Sequence, residues 1–451
     1  MAAVKAAVKA GGPQGRRTRA RRVLFLQGPP TVFWRELAAA FEAQGHETRR
    51  INLSAADWLT WRRRGADNYR GTLGGWRSWL GRYLDAEGIT DVLYYADRLP
   101  YHVVAAEEAE RRGIPCHAVE FGYLRPDWLT LERRGMGAYS HFPNDPATIR
   151  ALAEAIVEKP PLGTRYAHSF IREATDELLF NLVNALFCWP WPFFDMDKRY
   201  HPLTDYPSWI PRLMRGDRLK READAVVARC VAGDWPYHLF ALQIEADYQL
   251  RDNSPYDTLA QPIAEAIASF ARHAAAEHRL VFKLHPLDNG QENWPGLVKR
   301  LAKEAGVADR VIAIDGGDLE ALLVHANGAL SVNSTVGLHA IRAGTPTLAL
   351  GPAVYDMPGL THQGPLASFW TAPEPVDANL AADLMKVLAD TIQVKGSFYN
   401  PAGRALAAKE IVRRVAAGEV NEPGAFVTAP PRLPVRRRDA DVAFEAAHPA
   451  A

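Results

Sequence analysis

The sequence predicts an α/β protein in which two Rossmann-like domains face one another across a ligand cleft. Three observations carry that expectation. Short apolar runs alternate with segments whose apolar residues recur at helix spacing, the pattern of strand–helix units on a parallel sheet. The alternation occurs twice, on either side of a middle rich in Trp and Pro. A length of 451 residues leaves room for two or three domains.

The first run, Val23 to Gly28, is short and apolar and ends in Gly, so it reads as a buried parallel strand. Phe33, Leu37, Ala40 and Phe41 follow at helix spacing. Thr48 to Leu53 and Asp91 to Tyr95 are the next strands, Val103 to Arg112 a helix, and Ile114 to Glu120 a fourth strand. These compose an N-terminal domain over residues 23–177. Residues 178–236, with Phe187-Cys188-Trp189-Pro190-Trp191-Pro192-Phe193-Phe194 and later Trp209 and Trp235, read as Pro-broken helices bridging two domains. The second domain, 237–395, takes strands from His238 to Ile244, Leu280 to Leu284, Val311 to Ile314, Gly328 to Val332 and Pro346 to Gly351. Leu259 to Glu277 and Leu319 to His325 are helices between them. A helical segment over 396–421 and a tail over 422–451, marked by Pro430, Pro431, Pro434 and Arg436-Arg437-Arg438, complete the chain, the tail read as disordered.

Composition excludes several classes. With 53 Lys and Arg against 52 Asp and Glu, the net charge of +1 is far from that of a protein built to neutralise nucleic-acid phosphates. Three cysteines (Cys116, Cys188, Cys230) make no disulfide framework, and a reducing compartment fits. No apolar stretch is long enough for a transmembrane helix. Residues 1–22 lack the apolar core of a secretory signal. Lys5, Lys9, Arg16, Arg17, Arg19, Arg21 and Arg22 read as a solvated disordered arm or, on a second reading, a weak tether to anionic lipid.

Five segments can carry chemistry. Lys283-Leu284-His285-Pro286 closes a strand, and Pro286 biases the residue before it to extended geometry. His285 can then donate to a phosphate oxygen at the strand's carboxyl end, with Lys283 supplying charge; the structural alternative is a packed strand-end His. Ser331-Val332-Asn333-Ser334-Thr335-Val336-Gly337 joins a strand to a helix, with Ser334 as the expected N-cap and the helix start as a phosphate site. Simple capping would also explain that Ser and Thr. Gln243-Ile244-Glu245-Ala246-Asp247-Tyr248-Gln249 brings a carboxylate to the expected cleft, as glycosyl transfer through an oxocarbenium-like state requires, or else is a surface loop. Glu120 with Tyr123 and Arg125, and Asp97, Arg98 and His102, end strands of the first domain; an ion pair of Glu120 with Arg125 and helix capping by Asp97 are the plainer readings.

Taken together, Phe25-Leu26-Gln27-Gly28-Pro29, Gly122-Tyr123-Leu124-Arg125-Pro126, Gln243 with Asp247 and Gln249, Lys283-Leu284-His285-Pro286, Asn333-Ser334-Thr335-Val336-Gly337 and Gly359-Leu360-Thr361-His362-Gln363-Gly364 resemble the capsule polysaccharide biosynthesis proteins of the KpsS type. The resemblance runs from Val23 to Glu419. It implies a GT-B-like retaining β-Kdo glycosyltransferase moving 3-deoxy-manno-octulosonic acid (Kdo) from CMP-Kdo to a phosphatidylglycerol-type lipid, so beginning a capsule linker. It implies Asp247, Glu120 and His285 as catalytic residues, and Gln243, Lys283, His285, Pro286, Ser334, Thr335 and Gly337 on the donor. Gln27, Gly28, Asp97, Arg98, His102, Tyr123 and Arg125 are candidates for the acceptor side.

CMP-Kdo is a substrate, and no cofactor or metal is called for. Expected partners are the donor, the lipid and other capsule biosynthesis or export proteins, without nucleic acid. The expected place is the cytoplasm, peripheral on the inner membrane. The segment Trp189 to Phe194 then has two readings, an aromatic core between domains or, with Lys198 and Arg199 nearby, a membrane interface. The alternatives in function are a nucleotide-sugar epimerase or polyol-phosphate transferase of the same architecture, and a non-catalytic component of capsule export.

Overall fold

A computed structural model describes residues 20–157, 165–166, 170–197, 199–200, 202–437 and 441. The basic arm ahead of residue 20, Lys198 and residues 442–451 lie outside them. The chain divides into two compact units, one of residues 1–143, 151–203 and 385–430, the other of 144–150, 204–384 and 431–451.

The first unit opens with β1 (Arg22–Phe25), α1 (Phe33–Ala43), β2 (Glu47–Asn52), α2 (Ala55–Trp61) and β3 (Ala66–Asn68). It continues with α3 (Leu73–Glu87), β4 (Asp91–Tyr95), α4 (Pro100–Glu110), β5 (Cys116–Phe121) and β6 (Trp128–Arg133). In chain order α5 (Pro146–Ala155), of which only residues 151–155 fall in this unit, and α6 (Phe170–Leu186) follow. Local chemistry sets these boundaries. Ser54 accepts the Asp57 amide to start α2, and Thr72 caps α3, which stops at Gly88 in the left-handed region. Pro100 occupies the first turn of α4, where its missing N–H costs nothing. In α1, Phe33, Trp34, Leu37, Ala38 and Phe41 form one buried face over β1.

The second unit begins with α7 (Pro202–Ala232) and β7 (Tyr237–Ala241), then α8 (Tyr248–Arg251), α9 (Ala260–His273), β8 (Arg279–Lys283), α10 (Trp294–Glu304) and β9 (Val311–Ile314). It goes on through α11 (Leu319–His325), β10 (Gly328–Ser331), α12 (Val336–Arg342), β11 (Thr347–Ala349), α13 (Leu366–Phe369) and α14 (Ala378–Thr391). All five strands are parallel, in the order β11-β10-β7-β8-β9. α9 and α10 close one apolar face of this sheet. α7, α11 and α12 close the other. Burial on both faces explains the continuous apolar runs.

The chain then returns to the first unit with β12 (Gln393–Lys395) and α15 (Pro401–Ala417). The completed sheet has the order β12-β6-β5-β4-β1-β2-β3, parallel except that β6 runs antiparallel to both β5 and β12. Each sheet is thus a doubly wound α/β arrangement, as expected.

Four expectations need correction. The second domain does not extend to residue 395: Val394 and the apolar face of α15 are buried with Phe25, Leu129 and Leu131 of the first unit. The bridge is not one segment. α6 begins well before residue 178, while α7 is a single helix of 31 residues running through Pro207 and Pro211. Residues 422–437 are ordered: the Val427 amide donates to the His141 carbonyl (2.9 Å), and Arg432 donates to the carbonyls of Ala353 and Val354 (2.9 and 3.0 Å). Arg21 and Arg22 do not belong to a solvated arm: they pair with Asp91 (2.9 Å) and Glu47 (2.8 Å), because β1 places them beside β4 and β2.

Candidate functional site

In open parallel sheets, ligands lie outside the carboxyl ends of the strands, where the strand order reverses. In the second unit that reversal falls between β7 and β10. The residues just beyond these two strands are Gln243 and Asn333, and their side chains grip each other. Gln243 Nε2 donates to Asn333 Oδ1 (2.9 Å), and the Asn333 amide donates to Gln243 Oε1 (3.2 Å). Asn333 Nδ2 also donates to the carbonyls of Gln249 and Asn253 (2.6 and 3.0 Å). This buried pair fixes the turn that carries Asp247. Asp247 accepts the Gln249 amide (2.9 Å) and caps the one-turn helix α8, leaving its carboxylate half-buried.

Beside β7, β8 ends in Lys283, only 7 % exposed. Among the described residues no hydrogen bond or ion pair engages its ammonium. Burial pulls that ammonium below its ordinary pKa, Asp315 opposes this, and the Arg212 guanidinium adds to it. His285 Nδ1 accepts the Leu287 amide (3.0 Å), so in the neutral ring the proton sits on Nε2, a donor. Arg212, on α7, holds this loop from outside. It forms a two-pronged pair with Asp315 (2.6 and 3.0 Å), donates to the Pro286 carbonyl (3.0 Å) and also bonds the Asp288 carbonyl.

The Ser334 region differs from expectation in one detail. α12 starts at Val336, Thr335 is the capping position without a side-chain cap, and Ser334 Oγ instead accepts the Val336 amide (3.2 Å). The turn after Asn333 carries the backbone one residue further before helical geometry begins. Gly337 has a packing reason: a Cβ there would sit 2.2 Å from the Tyr355 hydroxyl, which donates to the Ser334 carbonyl (2.6 Å).

In the first unit the reversal lies between β1 and β4. Gln27 and Gly28 follow β1, and Asp97 and Arg98 follow β4. Asp97 accepts the Met136 amide (3.0 Å) and pairs with Arg98 (3.3 Å), whose guanidinium lies 3.7 Å over the Tyr139 ring. Glu120 is half-buried at the end of β5, close enough to help burial raise the Tyr95 phenol pKa. The Tyr123 hydroxyl donates to the buried Glu132 (2.8 Å) and accepts the Gly137 amide (3.0 Å). Arg125 is exposed, its guanidinium 5.1 Å from the Phe121 ring centre.

A family model described as "Capsule polysaccharide biosynthesis protein" matches residues 90–399. The chain belongs to this family. Among its relatives is the capsule polysaccharide export protein KpsS of Escherichia coli, 30 % identical over 385 residues, covering 84 % of this chain and 97 % of KpsS. Another is the capsule polysaccharide modification protein LipB of Neisseria meningitidis serogroup B, 28 % identical, covering 84 % and 92 %. Among solved structures the chain is similar to the Thermosulfurimonas dismutans KpsC, beta Kdo 2,7 transferase, at 14 % identity and a TM-score of 0.41, over 87 % of this chain and 98 % of that one.

The capsule-family chain thus brings Gln243, Asp247, Lys283, His285, Pro286, Ser334 and Thr335 to the carboxyl edge of one sheet. Gln27, Asp97, Arg98 and Glu120 stand at the carboxyl ends of strands in the other. His102 is a correction. It has no exposure, donates Nδ1–H to the Ala96 carbonyl (2.8 Å) and stacks on Tyr94, so it is a core residue that no acceptor touches. Gly28 is buried, and a Cβ there would lie 2.6 Å from the Trp34 ring, so packing accounts for it. Gln243 serves the fold through Asn333. Sequence reasoning missed Asn333 as that partner, Arg212, and Gln393 of β12, whose Oε1 accepts the Tyr123 amide (2.7 Å). Each acts across a long sequence separation, so no local pattern marks it.

Proposed function

We propose that this chain is a CMP-Kdo-dependent β-Kdo transferase that uses a phosphatidylglycerol-type lipid as acceptor. The observation that carries the reading is Lys283. A nearly buried cation that no hydrogen bond or ion pair engages among the described residues, with Asp315 acting on it only through space, is costly unless an anion arrives, and His285 stands two residues on with a donor on Nε2. A cytidine monophosphate leaving group supplies that anion at the edge where nucleotides bind α/β sheets.

The reaction proceeds by double displacement. A carboxylate oxygen of Asp247 bonds to the anomeric carbon of Kdo while the bond from that carbon to the phosphate oxygen breaks. The electron pair leaves with CMP, stabilised by Lys283 and His285. The acceptor hydroxyl oxygen then attacks the same carbon, the ester to Asp247 breaks, and a general base takes the acceptor's proton.

Asp247→Asn separates chemistry from folding, because Asn caps a helix as well as Asp does. The variant should keep its melting temperature and lose at least about a thousandfold in turnover, the scale expected when a nucleophile is removed. Wild-type turnover in Asp247→Asn would remove it as nucleophile. Mass spectrometry of the product from CMP-Kdo and a fluorescent phosphatidylglycerol analogue tests the whole reading. Absence of CMP release by the wild type, with or without acceptor, would overturn it in favour of a non-catalytic assembly component.

A further inference from the structure

The C-terminal half of α6 is inside out. Asn181 and Asn184 face inward, Asn184 only 4 % exposed and accepting the Ala56 amide of α2 (2.9 Å). Leu179 and Leu186, two turns apart on one stripe, face outward and are more than half exposed. The loop that follows keeps this division. Trp191 and Phe194 point in: Trp191 Nε1 donates to the Asn52 carbonyl (3.3 Å), and Phe194 stacks on Tyr101. Phe187, Trp189 and Phe193 point out, Trp189 to 76 %. The loop is therefore held by its buried aromatics while it displays the others. That arrangement keeps large apolar side chains from collapsing onto the protein, which costs stability in water and pays only in an apolar medium.

We propose that this surface docks the protein on an anionic lipid bilayer, with Leu186, Phe187, Trp189 and Phe193 entering the interfacial layer. Three features favour lipid over a protein partner. Pro190 and Pro192 carry no N–H, so the loop brings fewer backbone donors that lipid would leave unsatisfied. Trp and Phe on a fixed surface suit the headgroup boundary. Exposed Arg70 flanks the aromatics, 5.8 Å from the Trp191 ring centre, and exposed Arg62 and Arg64 follow α2, whose start Asn184 ties to α6. Of the nearby acids, Asp195 is engaged in its own turn, accepting the Asp197 amide (2.9 Å).

The test is co-sedimentation of the full chain with phosphatidylcholine vesicles and with equimolar phosphatidylcholine and phosphatidylglycerol vesicles. Wild type should bind the anionic vesicles more tightly. Phe187→Ser/Trp189→Ser/Phe193→Ser should bind them at least about tenfold more weakly with an unchanged melting temperature, having lost three large apolar contacts. Met214→Ser, at an exposed apolar residue on α7, should bind as wild type does. Residues ahead of Ala20 are the same in every variant, so the difference belongs to the loop. Fluorescence quenching by brominated lipid should fall in Trp189→Phe relative to wild type. Equal binding by wild type and the triple variant, or no binding of wild type to either vesicle, would overturn the proposal. Binding is read without donor or turnover, so the outcome is independent of the transferase reading.

Discussion

Lys283 is held in place by β8, which ends at this residue with its side chain nearly buried. Removing its charge relieves an unfavourable burial and withdraws an anion's partner. Lys283→Ala should therefore weaken CMP binding by about tenfold or more, the scale of a hydrogen bond to a charged group, while the melting temperature holds or rises. Isothermal titration with CMP and a thermal melt check the two halves; a fall in melting temperature with unchanged CMP affinity would make Lys283 a structural residue. His102 and His238 act at low pH. Burial lowers their pKa values to about 4 and about 3. Both rings are neutral in the folded protein at neutral pH, while the unfolded chain protonates below about pH 6.5. Stability is thus intact above that pH and falls as the pH drops towards 4, by about 3 kcal/mol from His102 alone. Urea unfolding of His102→Gln should show a shallower fall over that window than wild type. The motif residues Lys283, His285 and Asp247 were legible in the sequence because each sits at the end of an apolar strand or in the turn just beyond one. The core role of His102 was not, since its position after a strand looks the same whether the ring points to solvent or inward.

At the scale of elements, the β7 and β10 ends are joined by the Gln243–Asn333 pair, and α7 is joined to the β8 loop by Arg212. Asn333→Ala leaves the Gln243 side-chain N–H without its acceptor and two carbonyls without their donor and should cost about 2 kcal/mol. A double-mutant cycle with Gln243→Ala should return a coupling of about 1 kcal/mol, readable from urea midpoints; additive effects would deny the clamp. Arg212→Lys keeps the charge but loses the two-pronged grip on Asp315. It should raise the KM for the proposed donor several-fold with a smaller effect on kcat, because Arg212 orients the loop proposed to hold that donor rather than touching it. The parallel strands were readable as apolar runs. β3, β6 and β12 were not: β3 and β12 are three residues each, and β6 is an antiparallel return that forms only against β5 and β12. The expected break of α7 at its prolines fails because packing of Ala223, Val227 and Cys230 holds the rest of the helix to its sheet.

At the scale of the whole molecule, the first unit is completed by residues nearly four hundred positions from its start. Arg21 donates to the Ala416 carbonyl (3.1 Å), and Arg404 pairs with Glu36 (2.7 Å). A chain ended after Thr391 would strip β12 and α15 from the first core and should fail to unfold cooperatively when followed by circular dichroism. A chain ended after Arg437 would lose buried Asp441, whose carboxylate accepts the Leu366 amide (2.6 Å), and should melt lower than the full chain does. Among the described residues no helix is long and apolar enough to cross a membrane.

The sequence by itself determined the α/β class, the parallel strands of both sheets other than β3, the order of the motifs and the family to which the chain belongs. These depend on local periodicity and on residues at strand ends, which short windows of sequence record. Only the tertiary structure decided which unit the C-terminal segments complete, that His102 and Gly28 serve packing, that Gln243 answers to Asn333, and that Trp189 looks outward while Trp191 looks in. Each of these rests on a contact between residues far apart in the chain or on the direction of a side chain, and neither leaves a mark on composition or spacing.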